Sequence, residues 1–176
     1  VTLTRRKVDM GLLNGIASAL ATSLGRDEIL NKTLGLVMNY MKVEAGEIFL
    51  LEEDKTTLRM VLHRGQAAEA FWTANVFRVG EGYPGMVAKN RKPMIGTHLA
   101  NDTNFLRDSV VKAGFQQIAC IPLLSGENLM GVMSVVTRAT DPFDERSIQL
   151  LTAVGAWAGL AIENARLHSN ARRLAV

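Results

Sequence analysis

One cysteine in 176 residues, Cys120, rules out an internal disulfide and any multi-cysteine metal site. It lies in the apolar run Ile118-Ala119-Cys120-Ile121, which suits a reducing, intracellular setting. No apolar stretch approaches the ~18 residues of a membrane span, and no charged-then-apolar leader opens the chain. The expected location is the cytoplasm, without membrane contact, and the absence of an initiator Met reads as a piece of a longer protein. Charge of one sign is scarce too. Lys plus Arg number 20 and Asp plus Glu 17, a formal +3, and the basic residues cluster only at Arg5-Arg6-Lys7 and Arg172-Arg173. Nucleic acid is therefore not an expected partner. Histidines are few and scattered: His63, His98 and His168 form no spacing with Ser, Cys or Asp that would serve nucleophilic or acid–base catalysis. With one buried-looking thiol and no resolving partner, the chain is not expected to be an enzyme. There is no repeat and no low-complexity tract.

Hydrophobic residues make up 48% of the chain, enough for one core, so residues 1–176 read as a single domain. From Val8 to Leu24, Leu12, Leu13, Ile16, Ala17 and Leu20 recur at helical spacing, and Gly25 is placed to end that helix. Asp27 reads as the N-cap of a second helix carrying Ile29, Leu30, Leu34, Val37, Met38 and Met41. "EIFLLEED" and "TLRMVLHRG" then read as a hairpin, followed by a strand at 75–79, a short helix from about Pro84 to Asn90 and a strand at 93–96. Residues 97–114 read as a long loop with one short helix. "FQQIACIPLL" and "LMGVMSVVTR", joined by "SGEN", form the strongest strand pair. The last segment, Phe143 to about Arg172, is one helix with Ile148, Leu151, Val154, Ala158, Ala161, Ile162 and Ala165 on its apolar side. Asp141-Pro142 and Asp144-Glu145 supply its start and Arg172-Arg173 its basic end. The predicted class is α+β: a central antiparallel sheet of about six strands with long N- and C-terminal helices on one face. The core spans roughly 27–142, flanked by terminal helices at 8–25 and 143–172.

"GEGYPG" has the spacing G-x-G-x-x-G, but the half-polar "NVFRV" precedes it, the next helix is short, and Asp102 sits in a polar loop rather than at a strand end. A dinucleotide site is not supported. Instead, "FRVGEGYPGMVAKNRKPMIG" and "IACIPLLSGENLMGVMSVV" resemble the two signatures of GAF domains. "PFDERSIQLLTAVGAWAGLAIENARL" is similar to the closing helix of bacterial GAF domains, and the resemblance covers roughly residues 10–170 in the family's order.

The resemblance implies a GAF/PAS-like fold and a sensory role in bacterial signal transduction, feeding an effector such as a histidine kinase of a two-component system, a cyclase or a transcription regulator. It also implies a small-molecule pocket between the sheet and segments 80–90 and 97–114. Phe77, Met86, Met94, Phe105 and Met133 would line it, with Asp102, Arg107, Asp108, Ser109 and Gln116 as polar contacts. The ligand and any cofactor remain unidentified, and the alternative is a ligand-free dimerisation or linker module. Two further alternatives carry residues of their own. His98 is the one candidate haem ligand, while Phe143, Asp144 and Glu145 match part of a cyclic-nucleotide signature that has Thr137-Arg138 in place of Asn-Lys. Covalent bilin is excluded because Ile121, not His, follows Cys120. A terminal helix of about 28 residues would run roughly 42 Å, beyond what the core can cover. Leu160, Leu167, Ala171 and Leu174 on its far part, with the Leu12–Leu20 helix, imply a parallel homodimer. Trp157 fits either that seam or the core.

Overall fold

The computed structural model describes residues 2–21 and 25–174, the side chains of residues 2–5, 8, 19–21 and 172 excepted. The side chains of Leu20 and Arg172 and the expected helix end at Thr22–Leu24 therefore lie outside what is described. Helix α1 spans Thr2–Ala21 and α2 Arg26–Met41. Gly25, not Asp27, is the N-cap of α2: its extended backbone turns the chain into the helix, and Asp27 falls in the first turn, where its charge meets the helix dipole. The strands are β1 (Ala45–Leu51), β2 (Thr57–Gly65), β3 (Val76–Arg78), β4 (Met94–Gly96), β5 (Gln117–Ser125) and β6 (Asn128–Thr137). They form one six-stranded sheet in the order β3-β2-β1-β6-β5-β4, with every pairing antiparallel.

Strand alternation divides the core in two. On one face Ile48, Ala119, Ile121, Leu123, Met133 and Val135 meet Leu12 and Ile16 of α1, Leu30, Leu34 and Val37 of α2, and Leu151, Val154, Ala158 and Ile162 of α6 (Glu145–Leu174). Ala17 of α1, by contrast, is exposed. On the other face Phe49, Leu58, Met60, Phe77, Ile118, Cys120, Val132 and Val136 lie beneath α3 (Ala68–Trp72), α4 (Gly82–Asn90), a 3-10 turn at Leu99–Asn101, and α5 (Asp108–Lys112). Helix α3 has no apolar repeat to announce it: only Phe71 of its five residues is buried.

A bulge sets the pattern around the site. The β1–β2 register shifts between Ile48 and Phe49, so that Ile48 faces Leu62 while Phe49 faces Met60. Without that extra residue His63 and Met60 could not share one face. At the far side of the sheet, α6 lies close on β5 through two glycines: a Cβ at Gly155 would come within 2.5 Å of the Pro122 carbonyl oxygen, and one at Gly159 within 2.2 Å of that of Leu124. Asp144 Oδ1 accepts from the Ser147 amide at 2.7 Å and caps the start of α6.

Candidate functional site

The register places four polar side chains in one rung across the middle of the sheet: His63 opposite Glu47, Glu47 opposite Ser134, and Ser134 opposite Cys120. Ser134 Oγ donates to Cys120 Sγ at 3.2 Å. Burial pushes the Cys120 thiol up to about 12, so it stays protonated and unreactive.

Glu47 is wholly buried, and a guanidinium answers it from the opposite layer. Arg107, 3% exposed, donates through Nη1 to Glu47 Oε1 and through Nη2 to the Phe71 carbonyl oxygen at 2.5 Å, with Met60 Sδ at 3.9 Å. Its guanidinium carbon lies 5.1 Å from the Phe71 ring centroid, 5.5 Å from Phe77 and 5.7 Å from Phe49. A desolvated cation ringed by three aromatic faces is held by their quadrupoles as well as by the carboxylate. Burial pushes the Glu47 carboxyl up from its ordinary range, opposed by the Arg107 charge and hydrogen bond. Two buried polar atoms of the pair remain without a protein partner, Glu47 Oε2 and Arg107 Nε. Burial holds the neighbouring His63 imidazole below its usual pKa despite its contacts with the Gln66 and Gly65 backbone.

The surrounding segments lock this cluster in place. Ser109 Oγ donates to the Ala70 carbonyl at 2.6 Å, tying α5 to α3, and Tyr83 Oη donates to Asp102 Oδ2, tying α4 to the loop. The Tyr83 and Phe105 rings meet edge to face at 6.0 Å. Gly82, with φ of 61°, lets α4 begin against the Phe77 ring, where a Cβ would stand 2.9 Å away.

Of the ten expected pocket residues, Phe77, Phe105, Arg107, Ser109 and Asp102 are gathered on this face. Gln116 is half-buried beside it and joins Leu99 and Thr137 through its backbone. Met86 and Met94 line a separate open groove of about 440 Å³ between α4 and β4, together with Lys92 and Pro93. Asp108 is exposed. Met133 sits on the opposite face, among the helices, because alternation sends it away from Val132. Glu47, Phe49, Phe71 and Tyr83 were not anticipated. The signal for Glu47 was present, since "AGEIFLL" puts it on the same alternating set as Ala45 and Phe49.

The alternative ligand residues lie elsewhere. His98 is exposed, and Phe143, Asp144 and Glu145 begin α6 on the helical side of the sheet, where Phe143 and Asp144 line a second groove, of about 600 Å³, with Lys42 and Pro142. Among the described residues no three His, Cys, Asp or Glu side chains gather to hold a metal ion. No helix among them is long and apolar enough to cross a membrane.

A family model for the GAF domain matches residues 23–163. The fold is similar to the GAF domain of an Acinetobacter phosphoenolpyruvate-protein phosphotransferase, at TM-score 0.77 and 19% identity, covering 92% of this chain and 97% of that one. It is also similar to a domain of a protein from Sinorhizobium meliloti 1021 described as a two-component sensor histidine kinase, at 0.67 and 19%, covering 85% and 99%. A third likeness is to an enzyme, the free methionine-R-sulfoxide reductase of Neisseria meningitidis in complex with its substrate, at 0.77 and 15%, covering 91% of each chain. No curated protein sequence matches the chain.

Proposed function

The chain belongs to the GAF domain family, and on that premise we propose that it is a non-catalytic sensory module. It binds a small molecule on the sheet face closed by Arg107 and relays occupancy through α6 to a downstream effector such as a histidine kinase. The observation that carries this reading is the buried Glu47–Arg107 pair, two of whose polar atoms have no protein partner. An ion pair kept for stability alone gains little over well-packed apolar residues, whereas a recognition site needs buried polar groups to fix a ligand.

Strand sharing supports the relay. Ile118 and Cys120 of β5 face the site, while Ala119, Ile121 and Leu123 of the same strand face α6. Contacts through Gly155 and Gly159 leave no slack between strand and helix. Gln117 Nε2 also donates to the Ala139 and Asp141 carbonyls at 2.7 Å each, fastening β5 to the segment that leads into α6. A ligand that prefers one arrangement of residues 97–114 shifts the helix by its differential affinity. Helix α6 also exposes Leu160, Leu167 and Leu174 at seven-residue intervals, with Asn164 and Ala171 between them. That heptad seam supports a parallel homodimer as the form that transmits the change.

The absence of catalysis is supported by the single thiol, buried and held protonated. A second reading, a ligand-free dimerisation module, is favoured by the filled interior, in which Phe49, Phe71, Phe77 and Phe115 are all buried. Native mass spectrometry of the freshly purified protein, followed by hydrogen exchange with and without whatever co-purifies, separates the two. A stoichiometric small molecule whose removal loosens residues 97–114 and changes protection along α6 supports the sensor. A bound molecule that leaves α6 protection unchanged sinks the relay.

A further inference from the structure

The sensory reading leaves the chemical class of the ligand open, and the inner face of the sheet narrows it. Every group that converges on the guanidinium of Arg107 is complementary to positive charge: the Glu47 carboxylate, the Phe71 carbonyl, the Met60 sulfur and the rings of Phe49, Phe71 and Phe77. Among the described residues Arg107 supplies the permanent cation there, and burial disfavours the charged form of the neighbouring His63. An anion would have to approach against Glu47, and an apolar molecule would strand it unpaired, at a large desolvation cost. The cage therefore reads as a receptor for a cation, which the chain itself occupies.

Cage and plug differ in how they are built. Phe49 and Glu47 lie on β1, at the centre of the six-stranded sheet, and Phe77 lies on β3. Arg107 lies on the N-cap of the five-residue helix α5, between Leu106, 54% exposed, and the exposed Asp108. Its Nε has no partner. The bonds Tyr83–Asp102 and Ser109–Ala70 bracket residues 103–108 on both sides, so withdrawal of the arginine can be absorbed within that segment. Glu47 Oε2, wholly buried and without a protein partner, leaves acceptor capacity that one guanidinium does not use.

We propose that this face binds a small organic cation, an alkylammonium or alkylguanidinium, which replaces Arg107 between Glu47 and the rings of Phe49, Phe71 and Phe77. This rests on the sensory reading and gives it a mechanism: the ligand evicts an internal mimic, and the freed segment 103–108 is the first part to move. A free small molecule fits better than a side chain of another protein, because Glu47 has no exposed surface to present.

The test is chemical rescue. Arg107→Ala vacates the cage, and the probes are methylguanidinium and tetramethylammonium, each against sodium chloride at equal ionic strength. The expected result is a rise in the Tm of Arg107→Ala of about 3–5 °C at tenfold excess over Kd, lost in the Glu47→Gln/Arg107→Ala double variant. If Arg107→Ala does not fold unaided, recovery of folded protein on refolding with methylguanidinium but not with sodium gives the same answer. In the unaltered protein the same cations should raise hydrogen exchange at residues 103–108. Rescue that is absent, or equal in the double variant, overturns the proposal. So does a neutral or anionic molecule co-purifying on this face, although that result leaves the sensor itself standing. Cation binding without any change in α6 protection supports the ligand class while overturning the relay.

Discussion

Glu47 and Arg107 form a buried ion pair, and the sign of a substitution there depends on whether one or both are changed. Removing either partner leaves a buried charge uncompensated, at about 3–5 kcal/mol, whereas exchanging both for apolar residues of similar volume is neutral or stabilising. Chemical denaturation should therefore show Arg107→Ala and Glu47→Ala each strongly destabilised, with Glu47→Leu/Arg107→Met at or above the unaltered protein. A double variant as weak as the singles would mean that the pair itself holds the loop layer to the sheet. His63 gives a pH dependence. Its folded-state pKa lies below its ordinary value of 6.5 because burial disfavours the imidazolium. The unfolded chain then takes up the proton first, so stability is intact above about pH 6.5 and declines as pH falls from there toward the folded-state pKa. The decline should shrink in His63→Gln, measured by urea midpoints between pH 7.5 and pH 5 at roughly constant ionic strength; an unchanged slope would assign it to other groups.

At the scale of elements, the decisive contact is α6 against β5. Gly159 lies where a Cβ would collide with the Leu124 backbone, which cannot move aside as a side chain end can. Gly159→Ala should lift the helix from the strand at a cost of about 1–3 kcal/mol, whereas alanine in an exposed helix usually stabilises relative to glycine. A Tm at or above that of the unaltered protein would show that α6 slides freely on β5, against the relay. The elements themselves were largely legible: "IACIPLL" and "GVMSVV" are short continuous apolar runs on either side of a polar turn, and the Gly-Tyr-Pro-Gly start of α4 is turn chemistry. Helix α3 was not, since five residues with one buried side chain carry no period. Gly25 took the capping role read for Asp27 because an extended backbone there, rather than a side-chain bond, begins α2.

For the whole molecule, the exposed Leu160, Leu167 and Leu174 make a prediction that core residues cannot. Leu160→Glu/Leu167→Glu should convert a dimer to a monomer in analytical ultracentrifugation. Asn164, exposed here and inward-facing in the proposed seam, should fix register if that dimer forms: Asn164→Leu is then expected to tighten association while admitting other oligomers. A protein that is monomeric before any substitution would remove the dimer from the proposal.

Reading from residue to molecule, the sequence alone determined the strand and helix periods, the two GAF signatures and the long closing helix, because each is a local or short-spaced pattern. The family resemblance grouped Phe77, Phe105, Arg107 and Ser109 with Met86, Met94 and Met133, and the tertiary structure separates the last three from the face that holds the others. The partner of Arg107 was decided only in three dimensions: Glu47 lies 60 positions away in the chain, and the rings of Phe49 and Phe71 come from β1 and α3. Their meeting depends on the sheet order that brings β1 to the centre, and the register shift opposite Ile48 and Phe49 turns Met60 to the same face. Which face a strand residue serves is likewise a matter of register, and a single position separates Met133, behind the sheet, from Val132, in front of it.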